Sequence, residues 1–132
     1  MTYKTRSLTS KIDKLLNIFP AVVIIGPRQC GKTSLAQGLR PKWKYFDLES
    51  AKTLDLVSRD ISFFFKENDK DLIIDEAQRV PQIFDELRGS IDSDRKSNGR
   101  FIITGSSSPE LLKNISNSGS SNLMVGDRPR QR

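Results

Sequence analysis

The sequence predicts an α/β fold in which strands and helices alternate along the chain. Three short apolar runs predict buried strands that end in polar residues: AVVII at 21–25, LII at 72–74 and RFIIT at 100–104. Between them lie segments rich in helix formers or with apolar residues recurring every three or four positions, which predict helices packed on one side. At 132 residues, the chain suits one domain with one core.

The first of these strands runs into a glycine-rich motif. Residues 26–34 read GPRQCGKTS and fit the pattern G-x-x-x-x-G-K-[ST]. A strand, a glycine turn and a helix start give a loop whose backbone N–H groups and positive helix end can hold phosphates. An ordinary glycine turn with an exposed lysine is the plainer alternative. We interpret the motif as a nucleotide site whose candidate residues are Gly26, Pro27, Arg28, Gln29, Cys30, Gly31, Lys32, Thr33 and Ser34.

Three helices and one further strand are predicted outside these motifs. Apolar residues recur on one face of residues 7–19 and stop at Pro20, which predicts a packed N-terminal helix, with a membrane or partner helix as the alternative. A strand is predicted at 44–48. Asp47 and Glu49 at its end either approach the nucleotide or, with Ser50, cap the next helix, and Asp60 caps a short helix carrying Phe63, Phe64 and Phe65.

A pair of acids follows the strand at 72–74. Asp75 and Glu76 stand at its tip, where two carboxylates would be costly without a cation. Asp75, with the hydroxyl of Thr33, is the candidate Mg²⁺ residue, and Glu76 is the candidate base that deprotonates an attacking water. Helix capping is the alternative for both acids.

The last predicted strand, 100–104, is preceded by a helix that begins at Pro81 and packs on the sheet. Hydroxyl residues follow this strand. Thr104 and Ser106 are the candidate sensors of the terminal phosphate or of the attacking water, within a polar tip that extends to Ser107. Ser107 or Ser108 can instead cap the next helix.

Charge and composition limit other functions. The net charge is +6, but residues 1–14 hold four Lys/Arg against one acid and residues 127–132 three against one, so the middle is nearly neutral. These arms either contact nucleic acid or are solvated tails. One cysteine and no histidine exclude an internal disulfide and a histidine base. No apolar run is long enough to span a membrane, so we expect a cytoplasmic protein without a membrane partner.

GPRQCGKTS, LIIDEAQRVPQIFDELR and GRFIITGSSSPELL, in this order, resemble the AAA-type P-loop ATPases. More narrowly they are similar to prokaryotic ATP-binding proteins that join such a core to an uncharacterised C-terminal domain. The resemblance covers about residues 6–115. It implies a three-layer fold in which helices flank a sheet of parallel strands, with MgATP as ligand. It also implies phosphate and metal roles for Lys32 and Thr33, metal and catalytic roles for Asp75 and Glu76, and a sensor at 104–107.

The resemblance stops after the SPELL segment. We therefore expect an N-terminal helix at 1–20, an incomplete core at 21–115 truncated after the fourth strand, and a mostly disordered basic tail at 116–132. The strand at 22–25 would then form an open edge, which a second copy or another protein would cover. An arginine from the missing lid would also be lost, and none of Arg28, Arg79, Arg95 and Arg100 is singled out as its replacement.

These observations predict an ATP-binding protein of the AAA ATPase type with weak or no hydrolysis by itself. Full ATPase activity would require a partner to supply the lid and arginine. One alternative is a non-catalytic, nucleotide-dependent interaction module or truncated remnant. The other is a nucleic-acid-associated protein that uses its basic arms.

Overall fold

A sheet of five parallel strands forms the centre of the molecule. The computed structural model describes residues 3–26, 31–106, 113 and 123–126, and for residues 3–8 and 123–126 the backbone alone. The strands are β1 Ala21–Ile25, β2 Lys44–Asp47, β3 Leu72–Asp75, β4 Phe101–Gly105 and β5 Leu123–Gly126. They lie in the order β2-β3-β4-β1-β5. The predicted α/β class, with parallel strands flanked by helices, is confirmed.

Five helices and one short 3₁₀ turn are described with this sheet. The helices are α1 Tyr3–Leu16, α2 Lys32–Leu39, α3 Ala51–Arg59, α4 Ile61–Glu67 and α5 Ile83–Ser93, and the 3₁₀ turn is Ala77–Arg79. The predicted caps are confirmed at two of them: the Ser50 hydroxyl accepts a hydrogen bond from Thr53 N at 3.5 Å, and Asp60 Oδ1 accepts one from Phe63 N at 3.0 Å. No helix in the described ranges is both long and apolar enough to cross a bilayer.

The two faces of the sheet build two apolar clusters. Val23 and Ile25 of β1 pack with side chains from α3, α4 and α5, whereas Val22 and Ile24 pack with α1 and α2. Because alternate residues of a strand point to opposite faces, a strand covered on both sides must be apolar throughout. Burial of each such side chain contributes about 1.5–3 kcal/mol. The helices and the sheet thus form three layers.

The N-terminal helix is part of this core. Ile12 and Leu16 are 0% and 2% exposed, which confirms that the apolar stripe predicted at 7–19 packs on the domain. Beyond α1, the chain is held to the start of β4, because Gly99 N donates to Phe19 O at 3.0 Å and Arg100 N to Pro20 O at 2.8 Å.

The prediction that the sheet ends after four strands is wrong. Residues 123–126, which we expected in a disordered tail, form β5 and pair in parallel with β1, Ala21 opposite Leu123 and Ile24 opposite Gly126. β1 therefore lies between β4 and β5, and this chain itself covers the edge for which we expected a second copy or another protein. Pairing with the backbone of β1 satisfies hydrogen-bonding groups that a three-residue apolar run cannot satisfy locally. Apart from residues 123–126, the predicted tail at 116–132 lies outside the described residues.

Candidate functional site

The glycine motif joins the carboxyl end of β1 to the start of α2. Gly26 N donates to Gly105 O at 3.2 Å, which ties the start of the loop to the tip of β4. At the other end, Gly31 has φ 87° and ψ 16°, the left-handed region that glycine adopts without steric cost. A Cβ there would meet no atom of the described residues within 4 Å, so among these residues the backbone angle is what favours glycine. The predicted residues Pro27, Arg28, Gln29 and Cys30 lie outside the described part of the chain.

Lys32 is the first residue of α2, and its side chain folds back over the loop. Its Nζ donates to Gly26 O at 3.1 Å, and the residue is 3% exposed. An ammonium group removed from water requires polar or charged partners. The start of α2 also presents backbone N–H groups that the helix itself does not use. Positive charge and backbone donors are therefore concentrated at the start of α2. Ser34, the third residue of this helix, is exposed.

Thr33 and Asp75 are brought together by α2 and β3. Thr33 Oγ1 donates to Asp75 Oδ2 at 2.7 Å, and Asp75 is 5% exposed. A hydroxyl has one proton and two lone pairs, so a threonine that donates its hydrogen bond to a carboxylate keeps oxygen lone pairs for a cation. These two residues therefore have the chemistry of a Mg²⁺ site, in which oxygen ligands from the protein are few.

Two more hydroxyl groups donate to the Asp75 carboxylate. Thr104, from β4, donates to Oδ1, and Tyr45, from β2, donates to Oδ2 at 2.6 Å. Burial first, and then the hydrogen bond and negative charge of Asp75, raise the pKa of Tyr45 above its usual value, with a smaller contribution from Asp47. Tyr45 was not among the residues predicted from the sequence. The only signal was a hydroxyl-bearing side chain within a predicted strand.

Glu76 has a backbone conformation that non-glycine residues seldom adopt. Its φ is 60° and its ψ 51°, and its backbone N donates to Thr104 Oγ1 at 3.2 Å. The left-handed conformation costs a side-chain-bearing residue about 1–2 kcal/mol. Glu76 is also 6% exposed, so its carboxylate is buried at the tip of β3.

The Glu76 carboxylate is held by two side chains. Its Oε1 accepts from Gln78 Nε2 at 2.7 Å and from Ser106 Oγ at 3.2 Å. Ser106 N in turn donates to Gln78 Oε1 at 3.3 Å, which closes a small network between the 3₁₀ turn and the tip of β4. Gln78 was also not predicted from the sequence, because only the turn after Glu76 brings the Gln78 side chain back to the Glu76 carboxylate.

The predicted residues at the tip of β2 have local roles. Asp47 Oδ1 accepts from Glu49 N at 2.9 Å, and the Glu49 carboxylate lies 3.7 Å from the Arg79 guanidinium. Neither side chain makes one of the described hydrogen bonds to Asp75 or Glu76. At the tip of β4, Ser107 and Ser108 lie outside the described residues, so their predicted sensor or capping roles stay predictions.

The structure thus gathers six of the predicted residues at the carboxyl edge of the sheet, which are Lys32, Thr33, Asp75, Glu76, Thr104 and Ser106. A sequence model described as an AAA domain matches residues 19–124. The chain belongs to the AAA domain family. Its AAA domain therefore has an AAA-type P-loop core, as the motifs predicted, and this family binds nucleotides, generally with Mg²⁺.

Relatives of this AAA domain include two uncharacterised proteins, from Mycobacterium bovis and Mycobacterium tuberculosis. Each is 31% identical over 113 residues, a stretch that covers 85% of this chain and 25% of the relative. The chain therefore spans about a quarter of the length of these relatives. The structure of PCH-2 from C. elegans matches with a TM-score of 0.50 at 18% identity, over 96% of this chain and 39% of that one, which shows a shared fold.

Proposed function

We propose that this AAA domain binds MgATP and by itself hydrolyses it slowly or not at all. The observation that carries the proposal is the hydrogen bond from Thr33 Oγ1 to Asp75 Oδ2, 2.7 Å long, made by the residue that follows the buried Lys32. Phosphate-binding and metal-binding chemistry thus occur on consecutive residues of one helix start.

The phosphates would lie against the loop between β1 and α2. Gly31, in its left-handed conformation, leads into the first N–H groups of α2, which the helix's own hydrogen bonds do not use, and Lys32 adds a positive charge. Pro27, Arg28, Gln29 and Cys30 belong to the same motif, and we assign them, with Gly26 and Ser34, to the surroundings of the phosphates. The adenine preference rests on the family alone.

The metal would be held by Thr33 and Asp75. Asp75 accepts a hydrogen bond from the Thr33 hydroxyl and so orients the oxygen lone pairs of Thr33 away from the carboxylate. Mg²⁺ keeps several waters and uses one or two protein oxygens together with phosphates, so this small donor set fits it. When bound, Mg²⁺ supplies positive charge against the phosphates.

Glu76 is the group that would accept a proton from an attacking water. Its carboxylate is engaged by Gln78 and Ser106, and Ser106 is also the residue that we propose contacts the terminal phosphate. Ser106 Oγ has one proton, so it must exchange partners before it donates to a phosphate oxygen. Ser106 would therefore leave Glu76 when it contacts the phosphate, and this frees the Glu76 carboxylate for the attacking water.

Three of the described arginines make local contacts, which supports slow hydrolysis by the isolated chain. Arg79 faces Glu49 at 3.7 Å, Arg95 faces Asp92 at 3.4 Å, and Arg100 donates to the Asp69 and Ser90 carbonyls at the amino-terminal edge of the sheet. Burial lowers the pKa of Arg100, so this arginine belongs to the packing of that edge. An arginine on the transferred phosphate increases the rate about 10³- to 10⁵-fold, and we propose that a partner supplies it.

The test compares the wild-type chain with Lys32→Ala and Glu76→Gln in calorimetric titration with ATP and Mg²⁺ and in a phosphate-release assay. We expect Mg²⁺-dependent binding by the wild type, loss of binding in Lys32→Ala, and retained binding without residual turnover in Glu76→Gln. Absence of binding heat from folded wild-type protein would refute the proposal. Binding with no phosphate release from the wild type is consistent with the proposal, and the isolated chain would then act as a nucleotide-dependent interaction module that needs a partner for hydrolysis.

A further inference from the structure

Tyr45 reaches the metal-side carboxylate from a strand that carries none of the motif residues. β2 pairs with β3 so that Tyr45 lies opposite Ile73 and Asp47 opposite Asp75. The tyrosine is therefore one step along the same face from the tip, and its ring spans the remaining distance. Its hydroxyl donates to Asp75 Oδ2 at 2.6 Å.

The same carboxylate oxygen accepts a hydrogen bond from the Thr33 hydroxyl. Asp75 Oδ2 thus accepts from Thr33 at 2.7 Å and from Tyr45 at 2.6 Å, while Oδ1 accepts from Thr104. The terminal torsion of an aspartate is broad and does not by itself hold the carboxylate plane. Donors from three different elements do hold it, and Tyr45 and Thr33 share the oxygen on which the orientation of the Thr33 hydroxyl depends.

The Tyr45 ring is itself fixed. It packs, partly buried, against the apolar cluster that contains Ile73, Val22 and Ile24. A tyrosine has only two side-chain torsions, so a packed ring sets the position of its hydroxyl. Tyr45 therefore offers Asp75 a donor whose position comes from the sheet and does not depend on the loop.

We propose that Tyr45 is a positioning residue for the metal. By holding the Asp75 carboxylate, Tyr45 sets the Mg²⁺ dependence of nucleotide binding. This inference rests on the proposed MgATP function and adds to it a residue outside the motifs. Tyr45 acts through Asp75 on Thr33. Loss of its hydroxyl loosens the carboxylate and with it the orientation of the Thr33 lone pairs, whereas the loop and Lys32 are unchanged.

The decisive variant is Tyr45→Phe, which keeps the ring and removes the hydroxyl. ATP affinity is measured calorimetrically across a Mg²⁺ series and again in excess chelator. We expect the Mg²⁺ concentration for half-maximal effect to rise about tenfold, as for other losses of a partner that orients a metal ligand, with ATP affinity in chelator unchanged. Trp43→Phe is the matched control, because Trp43 packs against the same cluster but donates no hydrogen bond to Asp75 among those described.

The outcomes separate this inference from the function on which it rests. If the wild type binds no MgATP, the proposed function fails. If it binds MgATP and Tyr45→Phe has the same Mg²⁺ dependence, or loses affinity equally with and without Mg²⁺, the inference alone is wrong.

A second measurement leaves the native sequence at position 45 intact. The chain has two tyrosines, so fluorotyrosine labelling with a Tyr3→Phe variant identifies the Tyr45 fluorine resonance. We expect that resonance to shift when Mg²⁺ is added to the ATP complex and not when ATP is added in chelator. A Tyr45 fluorine resonance that does not shift when Mg²⁺ is added would contradict the proposal even if Tyr45→Phe failed to fold.

Discussion

Thr33 and Asp75, 42 positions apart in the sequence, are joined by a hydrogen bond of 2.7 Å. The two residues do not belong to adjacent strands: α2 follows β1, and β4 lies between β1 and β3. Thr104 of β4 spans that gap by donating to the other Asp75 oxygen. One carboxylate on β3 thus accepts hydrogen bonds from both neighbouring strands, β2 and β4, and from the helix α2 that follows β1.

Thr33→Val should abolish the Mg²⁺-dependent part of ATP affinity while leaving affinity in chelator nearly unchanged. Valine preserves the shape of threonine but has no oxygen for a cation. Thr33→Ser, which retains the hydroxyl, is the control and should keep most of the Mg²⁺ effect. Calorimetric titration of both variants, with Mg²⁺ and with chelator, provides the comparison, and a Mg²⁺ response retained by the valine variant would argue against this metal site.

Glu76→Gly should be more stable than Glu76→Ala by about 1–2 kcal/mol. Both variants lose the carboxylate and its bonds to Gln78 and Ser106, but alanine must still adopt φ 60°, which glycine does at no steric cost. Urea unfolding of the two variants measures the difference directly. Equal stabilities would show that the backbone at this position relaxes in solution.

Gly99→Ala should destabilise the protein by at least about 1–2 kcal/mol. Gly99 has φ 64°, and a Cβ there would lie 2.9 Å from the Leu16 carbonyl oxygen, a backbone atom that cannot move aside alone. Gly89→Ala is the matched control. Gly89 lies in α5, and no atom of the part of the chain that the structure describes is within 4 Å of an added Cβ, so alanine should stabilise that helix by about 0.5–1 kcal/mol. Opposite signs in urea unfolding are expected.

The nucleotide-free protein should lose stability as the pH rises above about 10, the usual pKa of tyrosine. Burial and Asp75 raise the pKa of Tyr45 in the folded state, so the unfolded chain releases that proton first. The contribution of Tyr45 to the free energy of unfolding is fully present below the pKa of Tyr45 in the unfolded chain. It is lost as the pH rises toward the pKa of Tyr45 in the folded state. Tyr45→Phe should therefore show a smaller alkaline loss in urea unfolding than the wild type. A tyrosinate absorbance difference between the two at pH about 10 would contradict the raised pKa.

Most of the site was predictable from sequence because its groups sit on local patterns. GPRQCGKTS predicted the turn at Gly31 and the start of α2 at Lys32, and the apolar run before Asp75 and Glu76 predicted both the strand and the position of the acids. In a parallel sheet the tips of strands share an edge, so Thr104 could be expected near Asp75. These inferences need only periodicity and strand direction.

The features that were missed depend on contacts between distant segments. Residues 123–125 were too short an apolar run to indicate a strand, and β5 forms because the edge of β1 offers it a complete set of hydrogen-bonding partners. Tyr45 was interpreted as an ordinary strand residue, since nothing in KYFDL shows that its hydroxyl meets Asp75. Gln78 acquires its contact only through the left-handed turn at Glu76.

The packing of α1 also bears on where this domain can be cut. The family match begins at residue 19, after α1, yet Ile12 and Leu16 belong to the same apolar cluster as Val22 and Ile102. A fragment trimmed to that match would expose to water the part of the sheet that Ile12 and Leu16 cover, and an exposed apolar patch favours association. Such a fragment should precipitate or purify as large assemblies, so the helix before the motif must be kept in any shortened version of the protein.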